Sequence, residues 1–212
     1  MIYLTPQQIT RIFGHMKGVL HVGAHKAEER QDYIEAGFEN RVWVEANPKL
    51  YSSLVHSIAS QNDLVINALV SEKDGEDHNF NVASNGQSSS LLSLKIHSEI
   101  YQDIGYVSSH AMKSKSLKTI LEEIPNSEML EMINLDIQGV ELRALRGLGD
   151  RINQFKLVYT EINTLELYER CDMMHDIDKF MDEKGFLKHG YKLWFRGADG
   201  WGDALYVNRS KI

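Results

Sequence analysis

Gly23 follows the short run Gly18-Val19-Leu20-His21-Val22 and precedes Ala24-His25-Lys26-Ala27. A glycine just past a strand lets the backbone turn sharply and approach a ligand with no Cβ in the way. A helix opening soon after it offers unpaired N–H groups and a positive dipole end to a carboxylate or phosphate. Between residues 18 and 37 no G-x-G-x-x-G spacing is present, so a pyrophosphate is served less well than a smaller ligand bearing a carboxylate. Glu45 lies twenty-two residues beyond Gly23, in a second apolar run. An acid there accepts hydrogen bonds from ribose hydroxyls and repels a 2′-phosphate. Read alone, it is equally a solvated glutamate at a strand end.

Asp136, Glu161 and Asn163 fall at or just past the ends of two further apolar runs. Asp136 suits a general base or its positioner, with Glu161 as its catalytic companion. Two carboxylates and an amide, Asp136, Glu161 and Asn163, also make a donor set for a hard cation such as Mg²⁺. That reading is secondary to one without metal, in which Asp136 caps the helix near Val140 and Glu161 pairs with Arg143 or Arg170. His78, His97 and His110 are further base candidates, since imidazole titrates near neutrality. His21 and His25 straddle a strand and a loop rather than one helix face, which disfavours a zinc pair. Lys113, Lys115 and Lys118 read as a solvated cluster rather than an anion site. Trp194, Arg196 and Trp201 surround a Gly/Asp turn, where they either stack on a flat acceptor or pack a hairpin.

Strand-length apolar runs alternating with helix-period segments predict a parallel α/β sheet. The expected strands are residues 18–23, 41–46, 64–70, 132–137, 155–162, 191–195 and 204–207, the last two as a terminal hairpin. Helices are expected over 28–37, 47–60, 116–123, 140–147 and 172–184, the last with Met173, Ile177, Phe180 and Met181 on its core side. The stretch 71–106, rich in Ser, Asn and Gly, reads as a lid or edge hairpin. At 212 residues the chain reads as one domain, 1–212, with that insertion inside it.

The segments His21–His25, Trp43–Pro48 and Asn67–Leu69 resemble the first three motifs of Rossmann-like, class I S-adenosylmethionine methyltransferases. Gln87–Leu91, Asn134–Glu141 with Leu145-Arg146-Gly147, and Gly202–Val207 are similar to the FkbM-type family within that class. The resemblance implies one doubly wound, mostly parallel Rossmann-like sheet with a C-terminal antiparallel hairpin, and S-adenosylmethionine as cofactor. It implies that Gly23, Ala24 and His25 lie at the methionine portion, that Glu45, Ala46 and Asn47 hold the ribose, and that Asn67 and Ala68 border the adenine. Ser88 and Ser89 would lie near the methionine end, and Asp136 near its amino group or the acceptor. His21 stands where the family has an acid, and Ala27 near where it has a glycine. His21 either contacts the cofactor or is a satisfied strand-end histidine. The family mostly methylates hydroxyls of sugars, glycolipids and polyketide-like products, so a small-molecule or glycan acceptor is implied.

A net charge of −7 gives no overall footprint for a phosphate backbone. No dedicated nucleic-acid binding is therefore expected. One cysteine, Cys171, excludes an intrachain disulfide and a multi-cysteine zinc site. The first residues carry no basic-then-apolar leader, and no run reaches transmembrane length, so a cytoplasmic protein is expected. Two rivals stand beside the methyltransferase: a nucleotide-dependent oxidoreductase, disfavoured by the missing glycines, and a non-catalytic binding module, kept open by His21.

Overall fold

The computed structural model describes residues 3–194 and 200–211. In chain order it contains α1 (Pro6–Phe13), β1 (Gly18–Val22), α2 (Arg30–Glu35), β2 (Asn40–Glu45), α3 (Pro48–Ile58), β3 (Asp63–Asn67), β4 (Leu69–Val70) and β5 (Asp77–Ala83). It continues with α4 (Ile96–Ile100), β6 (Tyr106–Lys115), α5 (Leu117–Glu123), β7 (Met132–Leu135), α6 (Glu141–Arg146), β8 (Leu157–Asn163), α7 (Met174–Glu183), β9 (Phe186–Leu193) and β10 (Trp201–Asn208).

Local chemistry fixes the starts of three helices. Asn47 caps α3, its side-chain oxygen accepting from the Lys49 amide at 3.0 Å, and Pro48 takes the first helical position. Ser116 caps α5 in the same way through Thr119. α1, absent from the sequence expectation, is started by Thr5 and Gln8 as a reciprocal capping box ahead of Pro6.

Seven strands form one sheet in the order β3-β2-β1-β7-β8-β10-β9. Neighbours from β3 to β8 run parallel, whereas β10 is antiparallel to both β8 and β9. The terminal hairpin therefore forms as expected, but its second strand inserts between the first and β8. β9 also begins earlier than expected, at Phe186; Phe195 lies outside the described residues. Every residue of β1, β7 and β8 is buried, as both faces of a parallel sheet are covered. One face packs on α5, α6 and α7 through residues such as Leu121, Leu145 and Met181; the other packs on α1, α2 and α3 through Ile9, Tyr33 and Leu54.

Two expectations are corrected. The run 64–70 is not one strand: it breaks at Ala68, and β4 leaves the main sheet for a three-stranded one, β4-β6-β5. The insertion correspondingly extends beyond 106, because β6 runs to Lys115 and pairs with β5 along its length. β6 gave no strand signal in the sequence because only one of its ten residues is buried.

The chain leaves β1 toward β2 on one side and returns at β7 on the other. The carboxyl ends of β1 and β7 therefore frame the crevice in which open α/β sheets bind ligands.

Candidate functional site

Gly23 leaves β1 with φ +91°, and a Cβ built there would sit 1.8 Å from the Asp136 carbonyl oxygen. No other residue allows the β1 and β7 loops to cross so closely. His25 (φ 45°), Ala27 (φ 55°) and Gln138 (φ 58°) are left-handed without being glycine. Such residues cost energy and gather at ligand sites. The loops after β1 and β7 carry three of the five found among the described residues.

Glu45, at the end of β2, is 6% exposed. One carboxylate oxygen accepts from the His25 amide at 2.8 Å and the other from the Asn47 amide at 2.7 Å. Burial raises its carboxyl above the ordinary range, and these backbone donors draw it partly back. Asn67 donates its side-chain amide to the carbonyls of Glu45 and Ala46 at 2.7 and 3.1 Å, tying β3 to the same turn.

Together these elements line an open cleft that, with the solvent space at its mouth, encloses about 530 Å³. Val44, Ala68, Leu69, Val70 and Phe80 give it an apolar end, and Gly86, Gln87, Ser89 and Leu91 of the insertion close one side. Gly86 lies against His25, whose Nδ1 meets Glu28 at 2.7 Å. Of the residues expected from sequence, Gly23, His25, Glu45, Ala46, Ala68, Ser89 and Asp136 line the cleft.

Asp136 is exposed to the cleft, while protein crowds its carboxyl from the other sides. That crowding raises its carboxyl above the usual range, against donation from Gln138 and the nearby His21. The Gln138 side-chain amide donates to Asp136 at 2.7 Å and to Glu161 at 2.9 Å. Glu161 is buried behind it, and burial together with the charges of Asp136, Glu141 and Asp203 pushes its carboxyl well up. A cation shared by Asp136 and Glu161 would have to displace that amide. Among the described residues no three His, Cys, Asp or Glu side chains are grouped to hold a metal. Asn163 is 1% exposed, and neither atom of its amide has a hydrogen-bond partner among the described residues.

Other expected residues lie off the cleft. His21 is buried on the α1–α3 face, stacked on Trp43 at 5.1 Å with Nδ1 near Tyr33 and Asn134. Ala24 is buried in that core, Asn47 serves as a helix cap, and Ser88 binds His97 at 3.1 Å. Arg143 pairs with Asp172, and Glu141 receives the Ile137 and Gly139 amides, so neither Glu161 nor Asp136 takes the alternative partners. Lys113 and Lys115 pair with Asp77 and Glu123 on the surface. Trp201 packs under the insertion and donates to Tyr101 at 3.3 Å, while Arg196 lies outside the described residues. Cys171 is buried and free, its thiol pushed up by burial. Val44, Leu69, Val70 and Phe80 of the apolar end and Gln138 are the site residues that sequence reading missed. Gln138 stood inside the Asn134–Glu141 motif, but a glutamine two residues past a strand carries no signal of its own.

A family model described as the methyltransferase FkbM domain matches residues 21–193. No curated protein matches the sequence. Among solved structures, Sp1610 of Streptococcus pneumoniae with S-adenosyl-L-methionine is 12% identical, at TM-score 0.53 over 98% of this chain and 73% of that one. TrmK of M. capricolum with S-adenosyl-homocysteine is 8% identical, at TM-score 0.52 over 96% and 67%. Magnesium protoporphyrin IX methyltransferase (ChlM) of Synechocystis PCC 6803 is 10% identical, at TM-score 0.50 over 96% and 79%. At such identities the likeness is one of fold. The family match covers most of the chain, and on it the chain belongs to the FkbM methyltransferase family, whose cofactor is S-adenosylmethionine.

Proposed function

We propose that residues 1–212 act as one S-adenosylmethionine-dependent O-methyltransferase, working on a hydroxyl of a sugar, glycan or natural-product acceptor. The observation that carries this is the difference between the two acids lining the cleft. Glu45 is buried and spends both oxygens on backbone amides, whereas Asp136 is exposed to the cleft, where it holds the Gln138 side-chain amide and lies beside the Glu161 carboxyl.

The residues fit the cofactor. Gly23 gives a close backbone approach for the methionine portion, Glu45 with Ala46 and Asn47 accepts the ribose, and Ala68, Leu69, Val70 and Phe80 enclose the adenine. Asn67 borders the adenine, while Ala24, His25, Ser88 and Ser89 shape the methionine end. His21 supports the loop from the opposite face of the sheet. When bound, the cofactor supplies an electrophilic methyl group on a positively charged sulfur. Asp136 then orients the acceptor hydroxyl and takes its proton. A carboxyl raised above its ordinary range is better matched to that task near neutrality.

The test is incubation with methyl-labelled S-adenosylmethionine and parallel panels of sugars, glycolipids, hydroxylated polyketide-like compounds and tRNA. Label is expected in a hydroxyl acceptor. Asp136→Asn is expected to slow turnover by about 10²–10⁴-fold while sparing affinity for S-adenosylhomocysteine. Label on tRNA alone overturns the acceptor class, and full turnover by Asp136→Asn overturns the base.

A further inference from the structure

Gln138 sits at the centre of a network that the reaction scheme above leaves unexplained. Its Nε2 bridges Asp136 and Glu161 at 2.7 and 2.9 Å, and its Oε1 accepts from the buried Tyr168 hydroxyl at 2.6 Å. Its backbone carbonyl accepts from Ser90 Oγ of the insertion at 2.8 Å. The orientation of the amide follows from chemistry: both acids have oxygens that accept from an amide N–H, and the phenol has a proton to give to the amide oxygen. All this is built on a residue at φ 58°, a left-handed conformation that strains any residue bearing a side chain. A solvent-facing turn has no use for that strain, and glycine would avoid it. The two contacts that hold Gln138 come from outside its own loop, Tyr168 after β8 and Ser90 in the insertion.

We propose that Gln138 is a positioning residue: its amide, locked by Tyr168 and Ser90, holds Asp136 against Glu161 so that the Asp136 carboxylate faces the transferring methyl group. The proposal rests on the reading of Asp136 as the group at the methyl end of the cleft. Removing the amide leaves Asp136 free to rotate and Glu161 without its donor. The insertion, which already walls the cleft, thereby also sets the geometry of the acid through Ser90.

The test compares the affinities of S-adenosylmethionine and S-adenosylhomocysteine, measured by calorimetry on the full chain. The ligands differ by one methyl group and its positive charge. Their affinity ratio therefore reads the negative charge facing the sulfur, whereas general loosening weakens both alike. Gln138→Leu is expected to move the ratio toward S-adenosylhomocysteine by about three- to tenfold, the size of one misplaced hydrogen-bonded group. Tyr168→Phe and Ser90→Ala are expected to move it the same way by smaller factors. In an Asp136→Asn background, Gln138→Leu should add nothing, because the two act as one unit. An unchanged ratio in folded Gln138→Leu overturns the proposal. If that variant fails to fold, an unchanged ratio in Tyr168→Phe does so instead. A ratio unchanged by Asp136→Asn alone overturns the reading of Asp136, and the proposal falls with it.

Discussion

Ala27 stands near where the family has a glycine, and its φ of 55° gives the physical reason for that glycine. A methyl group in the left-handed region costs roughly 1–2 kcal/mol, partly offset by the smaller entropy loss of alanine on folding. Ala27→Gly should therefore stabilise the chain by about 0.5–1 kcal/mol, read as a raised Tm in calorimetry. An unchanged or lowered Tm would mean that neighbouring contacts of the methyl group outweigh the strain. At Glu45 the issue is charge rather than shape. Glu45→Gln keeps the length of the side chain but replaces one acceptor oxygen by a donor. Affinity for S-adenosylhomocysteine should fall by about 1.5–3 kcal/mol, the worth of hydrogen bonds to a charged group. Titration calorimetry showing wild-type affinity would remove Glu45 from the ribose site.

At the scale of elements, β2 and β3 are joined by a buried ion pair as well as by their ladder. Asp63 accepts from Arg41 Nε and Nη2 at 2.9 and 2.8 Å, from Arg30 at 2.9 Å and from the Trp43 indole at 3.0 Å. Burial alone would raise its carboxyl; these donors outweigh it and hold the value at about 2. A depressed value means the folded state favours the ionised form. The stabilisation is thus present above the ordinary carboxylate range and is lost as pH falls toward 2. Asp63→Ala leaves Arg41 buried without its partner and should cost about 3–5 kcal/mol. Denaturant unfolding should show this as a lowered midpoint, and a loss below 1 kcal/mol would show that Arg41 finds another partner.

Across the whole molecule, the end of the sheet that carries the site is crowded with carboxyl groups. Burial and the charge of Asp136 raise Asp203 to about 7, and burial with the charge of Asp172 raises Glu141 to about 8. Each binds its proton more tightly folded than unfolded. Their contribution to stability is therefore complete below the ordinary carboxylate range and is lost as pH rises through 7 to 8. Tm should fall between about pH 5 and 8 at constant ionic strength, and Asp203→Asn should flatten that fall. A wild-type Tm that rises over this interval would contradict the raised values. Concentrating buried acids at the reaction end follows a general pattern in which active sites shift the titration of their groups at the expense of stability.

The alternation of apolar runs and helix-period segments determined the α/β class, because burying both faces of a parallel sheet demands that pattern of any chain. Gly23, Glu45 and Asp136 were legible for a related reason: their positions just past strand ends are set by sequence distance alone. The inserted β10 was not, since which neighbour a terminal strand pairs with is a long-range choice. Nor was the break at Ala68, where an unbroken apolar run changes sheets. The serine and the tyrosine that converge on Gln138 come from separate parts of the chain, Ser90 in the insertion and Tyr168 after β8. Sequence placed an acid at the mouth of the crevice; only tertiary packing brought it a buried carboxylate, a bridging amide and a wall from the insertion.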